Sequence, residues 1–528
     1  MRLCDWSFWI PCPVEVFLLE AMDGCVRASA PSALRSVTKP LLSLLADVHA
    51  LNAPARPVYM ICLRLIAEYV RKCGLPEDKQ LLRNLQDMFS KTVEQINHIV
   101  GLPLENSAWL RKHLTVKQDA LPEVSGENRS LSCGDIPSLP QSTPTSPRAD
   151  GTTHVSTRAL KLLAKEFPTL LDALLPNEDK ERQIQVLTPL WNNLLPYLRL
   201  RSAKNADNFR AVSALLSGLS EFSVSRGVWR RTALELLLEP AFFHMDAPAL
   251  AHWLRILDNL LTHDKHTFKD FFNRMLSGSS SLFGSKEQEW EQRASGLRRL
   301  AVVLLSGALD QYQPHLPDIL ERLADNLRLN SVPSVLAATF LCVRVLLIRF
   351  SPDLLQALWP SILAELMQVL SQIDKDLSKV CNGKNNKLTC SPGWLWLYVS
   401  ACKLLLCLWA LPSWYLSHFQ MFRWFFLSSQ SQPGDSFLQI TDRIYKKLEE
   451  HQAPHGRPSC RPLSLSDLLQ PASGTVTSMM DLGQYLGWLV SHSRPQEATA
   501  KPRGQDLDEV TADIRSSVLH DLARGWSS

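Results

Sequence analysis

Two arginine doublets stand beside apolar residues, Trp229-Arg230-Arg231 and Leu297-Arg298-Arg299-Leu300. A guanidinium fork next to an aromatic or aliphatic side chain can hold the phosphate of an anionic lipid head group. Arg230, Arg231, Arg298 and Arg299 are therefore candidate lipid contacts, with phosphoinositides as the ligand class, although paired charges also decorate solvated helix faces that bind nothing. The metal-ligand residue types gather at His263-Asp264-Lys265-His266, with His244 and His252 upstream. Histidines three apart can share a helix face, but Lys265 lies between them and no acid-plus-histidine pair completes a site. A polar turn at a helix end is the reading, and no metal is expected. Twelve cysteines include no CxxC pair, and Cys402 and Cys407, five apart, have no histidine near them in sequence. They read as small hydrophobes in a reducing compartment.

Chemistry of other kinds finds no foothold. P-loop, GxGxxG, HExxH and GxSxG motifs are all missing from the sequence, so neither a cofactor nor an enzymatic activity is expected. With 56 basic and 52 acidic residues the formal charge is +4 over 528 residues, too weak a field for nonspecific nucleic-acid binding. The N-terminal apolar run Trp6–Ile10 is bounded by Asp5, Pro11 and Pro13, a poor signal peptide, which places the chain in the cytosol.

Such residues must be carried by helices. Leu34, Val37, Leu41, Leu44, Leu45, Val48 and Leu51 recur at three- and four-residue steps, and so do Tyr59, Ile61, Cys62, Leu65, Ile66, Tyr69 and Val70. Leu81, Leu85, Met88, Val93, Ile96 and Val100 make a third run, and no segment shows the two-residue alternation of a strand. Asp246 with Pro248 predicts a capped helix start, as does Ser351-Pro352-Asp353. The fold class is all-α, an irregular α-solenoid of the HEAT or armadillo kind without a fixed period and with a disordered internal linker.

Composition sets the expected boundaries. Residues 1–30 are an atypical N-terminal segment and 31–100 a first helical block. Residues 101–153 thin into Pro, Ser, Gly and Thr as a largely disordered linker that divides the stack in two. It holds Thr143-Pro144 and Ser146-Pro147, which suit a proline-directed kinase but are common in such linkers, and a chance sequon at Asn128. Residues 154–427 are the main helical-repeat block, and 428–528 a weakly ordered tail with short helices near 440–448, 479–490 and 507–522.

Trp394–Leu411, eighteen residues, is long enough to span a membrane, but Lys403 sits near its middle, where insertion costs about 2.5–3.5 kcal/mol. It is expected to be a buried core helix, which makes any membrane attachment peripheral. Arg344 and Arg349, in the apolar run Val335–Phe350, are expected on a solvent-facing edge.

Long ordered blocks carry a resemblance: EPAFFHMDAPALAHWLRILDNLLTHDKHTFKDFFNRM (Glu239–Met275), EQRASGLRRLAVVLLSGALDQYQPHLPDILERLADNLRL (Glu291–Leu329), SPDLLQALWPSILAELMQVL (Ser351–Leu370) and YVSACKLLLCLWALPSWYLSHFQMFRWFF (Tyr398–Phe426). These resemble the C-terminal region of the Dopey family, and Ser32–Val70 is similar to its vertebrate Dopey-2 branch. The likeness runs over roughly residues 30–427, as in a fragment or short isoform without the N-terminal Dopey domain. It implies a non-catalytic protein, peripheral on Golgi, trans-Golgi network and endosome membranes, that serves endosome-to-Golgi traffic. It also implies as partners a large scaffold related to Arf exchange factors, an aminophospholipid flippase and kinesin light chain. A phosphoinositide-binding module is the alternative from another class.

Overall fold

A computed structural model describes residues 13–50, 57–106, 147–175, 180–263, 265–277, 285–328, 332–381, 391–412, 414–416, 419, 437–452, 465–469, 478–493 and 507–523. Among them every regular element is helical, so the chain is all-α. Two compact units form, residues 1–236 with 251–256, and residues 237–250 with 257–528.

The first unit is built from α1 (Pro13–Ala28), α2 (Pro31–Ser36), α3 (Thr38–Ala50), α4 (Val58–Cys73), α5 (Lys79–Asn106), α6 (Pro147–Leu174), α7 (Lys180–Arg199), α8 (Ala206–Leu219) and most of α9 (Arg226–Leu238). Alternate helices stack: α5 packs on α6 and α6 on α8, while α7 lies against both α5 and α8. This is the packing of successive helix pairs, in which each pair covers the apolar face of the next. The periodic residues Tyr59, Ile61, Cys62, Leu65, Ile66 and Tyr69 are buried as their spacing predicts. Each fully buried aliphatic side chain contributes about 1.5–3 kcal/mol. Gly74, at φ 70°, ends α4 with its N–H on Val70 O, a left-handed position that suits glycine.

Three sequence expectations change here. Val37 is exposed between α2 and α3 rather than continuing one face, because two short helices replace one. Residues 13–28 are a helix that buries Leu19 and Val26 against α4, where Arg64 meets Glu20 and Asp23. The expected linker is also shorter at both ends, since α5 runs to Asn106 and α6 starts at Pro147. Its interior, with Thr143 and Asn128, lies outside the described residues.

The linker does not divide the stack. Arg71 pairs with Glu166 at 2.7 Å, Gln86 Nε2 donates to Leu174 O at 2.7 Å, and Tyr197 Oη donates to Val100 O at 2.7 Å. Helices from both sides of the linker thus share one core. A segment can leave and return to the same stack because lengthening a loop adds little closure entropy. The boundary between units falls instead near residue 236.

The second unit contains α11 (Lys265–Ser277), α12 (Lys286–Ser306), α13 (Leu316–Leu327), α14 (Pro333–Arg349), α15 (Trp359–Cys381), α16 (Pro392–Ala410), α17 (Phe437–Gln452), α18 (Leu465–Leu469), α19 (Leu482–Ser493) and α20 (Leu507–Ala523). Helix α10 (Ala247–Thr262) has residues 251–256 in the first unit and its two ends in the second, and the Asp246 side chain before it accepts from Ala249 N at 3.0 Å, the predicted cap. In the second unit α12, α14 and α16 stack as one layer, with α13 and α15 on its other side. Because α14 is held between α12 and α16, Val335 through Ile348 are all buried, which explains an apolar surface on every side of that helix.

Two more expectations change. Ser351 does not cap a helix: Pro352–Leu358 is a 3-10 turn, and Ser351 N donates to Asp310 Oδ1 at 2.7 Å. The tail helices are not peripheral. Helix α17 packs on α15, α19 on α16 and α17, and α20 on α14, where Val510, Ile514, Val518 and Leu522 are buried.

Candidate functional site

The second unit carries a cleft of about 870 Å³. Its walls come from the end of α11, the middle of α12, α13 and the start of α14, together with the 3-10 turn Pro240–Phe243. Small residues on the two stacked helices, Gly296, Ala337 and Ala338, open the space, and Phe243, Leu297 and Leu341 make its apolar floor. Over that floor stand five arginines, Arg274, Arg293, Arg298, Arg299 and Arg322, while Glu291 is the one carboxylate among the described lining residues.

Neutral groups hold two of these guanidinium groups, Arg298 and Arg299, in place. Arg299 is 8% exposed, with Nε on Leu237 O at 2.8 Å and Nη2 on Glu239 O at 3.0 Å. It caps the last carbonyls of α9, the negative end of a helix dipole. Arg298 lies over the Phe243 ring at 4.3 Å and donates to Leu522 O at 3.1 Å. Arg293 pairs with Glu289 at 2.8 Å, whereas Arg274 and Arg322 make no salt bridge among the described residues. Burial, with Arg298 beside it, lowers Arg299 to about 10. Burial, reinforced by Arg293, also lowers Arg322, and burial lowers Arg298 against the opposing pull of Asp521. With five arginines and one carboxylate along its lining, the cleft carries a net positive charge.

Of the four arginines named from sequence, two therefore belong to this cleft, and Arg299 faces inward as a helix cap. Arg230 and Arg231 are exposed on α9, in the first unit, and Arg231 Nε meets Glu235 at 3.2 Å. Their neighbour Trp229 is no membrane anchor: it is buried, with its indole N–H on Ser225 Oγ at 3.1 Å. The histidines behave as a helix-end turn, with His263 at the end of α10 and His266 in the first turn of α11, both exposed. Among the described residues no three His, Cys, Asp or Glu side chains converge as a metal site. Burial pushes Cys62 and Cys402 up to about 12, far from a reactive thiolate.

Behind the cleft lies a buried charge cluster. Arg344 Nη1 and Lys403 Nζ each reach Asp521 at 2.6 Å, from opposite carboxylate oxygens, and all three side chains are 1% exposed. Arg344 Nη2 also donates to Ser517 Oγ at 2.5 Å. The expectation that Arg344 faces solvent is overturned: α20 covers it and supplies its partners. Arg349 is half-buried and donates Nε to Leu305 O at 3.1 Å, which caps α12 near its end. Lys403 is core, as its position in an apolar helix predicts. Burial disfavours the Asp521 anion, but Lys403 and Arg344 outweigh it and hold the carboxyl well below the usual carboxylate range. Only Lys403 could be flagged from sequence, since Asp521 lies 118 residues away.

The family model described as DOP1 C-terminal matches residues 31–480. The chain belongs to this family. Among similar proteins, pad-1 of Caenorhabditis briggsae is 36% identical over 84% of the chain and 21% of its own length. The DOP1 homolog of Drosophila melanogaster is 35% identical over 79% of the chain and 16% of its length. DOP1B of Mus musculus is 36% identical over 80% and 19%. The DOP1-type resemblance is thus shown, while near-equal identities to nematode, fly and mouse members do not single out a vertebrate branch. The chain spans about a fifth of the length of these curated relatives. The match includes every cleft arginine together with Arg344 and Lys403, and ends before Asp521.

Proposed function

We propose that this DOP1-family chain is a non-catalytic scaffold or adaptor in membrane traffic between endosomes and the Golgi. Family membership over most of the chain is the observation that carries the reading, and the helix stack supports it, since stacked helix pairs offer long surfaces for partners. The partners proposed are a large scaffold related to Arf exchange factors, an aminophospholipid flippase and kinesin light chain. The place of action is the cytosolic face of Golgi, trans-Golgi network and endosome membranes. Proximity labelling with the expressed chain is expected to enrich these proteins. Recovery of the chain without any of these partners and outside every membrane fraction would overturn the reading.

A second reading, direct phosphoinositide binding, is favoured by the exposure of Arg230 and Arg231 on α9. Sedimentation with phosphoinositide vesicles tests it. Loss of sedimentation on replacing both arginines by alanine supports the lipid contact; unchanged sedimentation removes them from it.

A further inference from the structure

From the charge and shape of the arginine-lined cleft in the second unit, we infer that it is a docking site for an acidic, amphipathic peptide segment of a protein partner. The inference rests on the scaffold reading and names the partner's chemistry. Charge complementarity is the first argument. Five arginines line the space, of which Arg274 and Arg322 make no salt bridge among the described residues, and one carboxylate, Glu291, lines it with them. Arg298 and Arg299 are fixed by backbone carbonyls and an aromatic ring, so their positive charge is oriented without being neutralised. The exposed Arg274 and the half-buried Arg322 offer forks that match carboxylates in bidentate geometry.

The apolar lining supplies the second argument. Leu238, Pro240, Met275 and Trp396, partly exposed along the lining, give the space an apolar surface that a bare phosphate or a small polyanion leaves uncovered. A peptide with acidic side chains on one edge and an aliphatic or aromatic residue on the other meets both surfaces. The volume of about 870 Å³ accommodates a few side chains with their backbone. Gly296 contributes by letting α12 approach α11: a Cβ there would stand 3.1 Å from Met275 Cγ, which would have to give way.

Fluorescence anisotropy on the full chain tests the inference, with a fluorescein-labelled probe of about twelve residues that alternates glutamate with leucine. The glutamate probe is expected to bind at least tenfold tighter than the same probe carrying glutamine, and to weaken as salt rises. Arg274→Glu combined with Arg322→Glu, at positions outside the helix caps, is expected to weaken it at least tenfold and to gain binding of a lysine-substituted probe. Ser334→Trp leaves every charge in place and narrows the cleft from an exposed position on α14, so it should also reduce binding. Equal binding of the glutamine probe overturns the inference, as does unchanged affinity in both variants. Binding of inositol hexakisphosphate or phosphoinositide vesicles without any binding of the acidic probe overturns it too, and assigns the cleft to phosphate ligands. Because these readouts use the purified chain, their failure leaves the labelling and membrane-fraction tests of the scaffold reading intact.

Discussion

Asp521 neutralises one of two cations that are both out of water, so its removal should matter more than that of any surface charge. Breaking a buried ion pair costs about 3–5 kcal/mol, because the orphaned partner keeps its desolvation penalty. Asp521→Ala is therefore expected to lower the unfolding free energy measured in urea by that order. Replacing all three, Arg344→Met, Lys403→Met and Asp521→Leu, should be near neutral or stabilising. A triple variant as weak as Asp521→Ala would show that the loss comes from packing rather than charge. The carboxyl titrates lower in the folded than in the unfolded chain. Its contribution is complete above the unfolded value of about 4 and lost as pH falls through that value toward the folded one. Between pH 5 and pH 3 the wild-type midpoint should fall faster than that of Asp521→Asn, and parallel curves would sink the assignment.

At the scale of elements, close approach decides where helices meet. Gly218 of α8 faces Pro168 of α6, and a Cβ there would lie 2.7 Å from Pro168 Cγ and 3.1 Å from its Cβ. Alanine would gain about 1 kcal/mol of helix propensity. The clash falls on a rigid ring, and overpacking costs about 1–3 kcal/mol, so the loss outweighs the gain. Gly218→Ala should lower stability, and a raised midpoint in urea would refute the contact. Helix α20 is a second case. A chain ending at residue 500 lacks Ser517 and Asp521 and uncovers Arg344, whose buried guanidinium has lost its one carboxylate and the Ser517 hydroxyl. Such a chain is expected to bind more of a hydrophobic dye and to melt less cooperatively. Unchanged melting would mean that α20 is dispensable to its unit. Amphipathic spacing made α20 legible as a helix, but its place in the core was not, because burial depends on what packs against it.

For the whole molecule, the proposed peripheral attachment bears on two apolar helices of membrane length among the described residues. Residues 352–379 and 392–410 both have the length and composition to span a bilayer. In the second of them 72% of the most apolar window is buried, and Lys403 faces Asp521 within the protein. Membrane-bound chain is accordingly expected to be released by alkaline carbonate, as a peripheral protein is, and retention in the carbonate pellet would contradict the core assignment of α16.

Helical class, the capped start of α10 and the core role of Lys403 followed from the sequence alone, since 3.6-residue spacing, caps and a lone charge in an apolar run act within a few residues of each other. Tertiary structure alone decided that the linker does not divide the stack, that Arg299 caps a helix and that Arg344 is buried. It also brought five arginines from α11, α12 and α13 around one cleft. Those facts depend on side chains far apart in sequence, such as Asp521 and Arg344, 177 residues apart, and no local pattern encodes which distant charge will arrive to cover another.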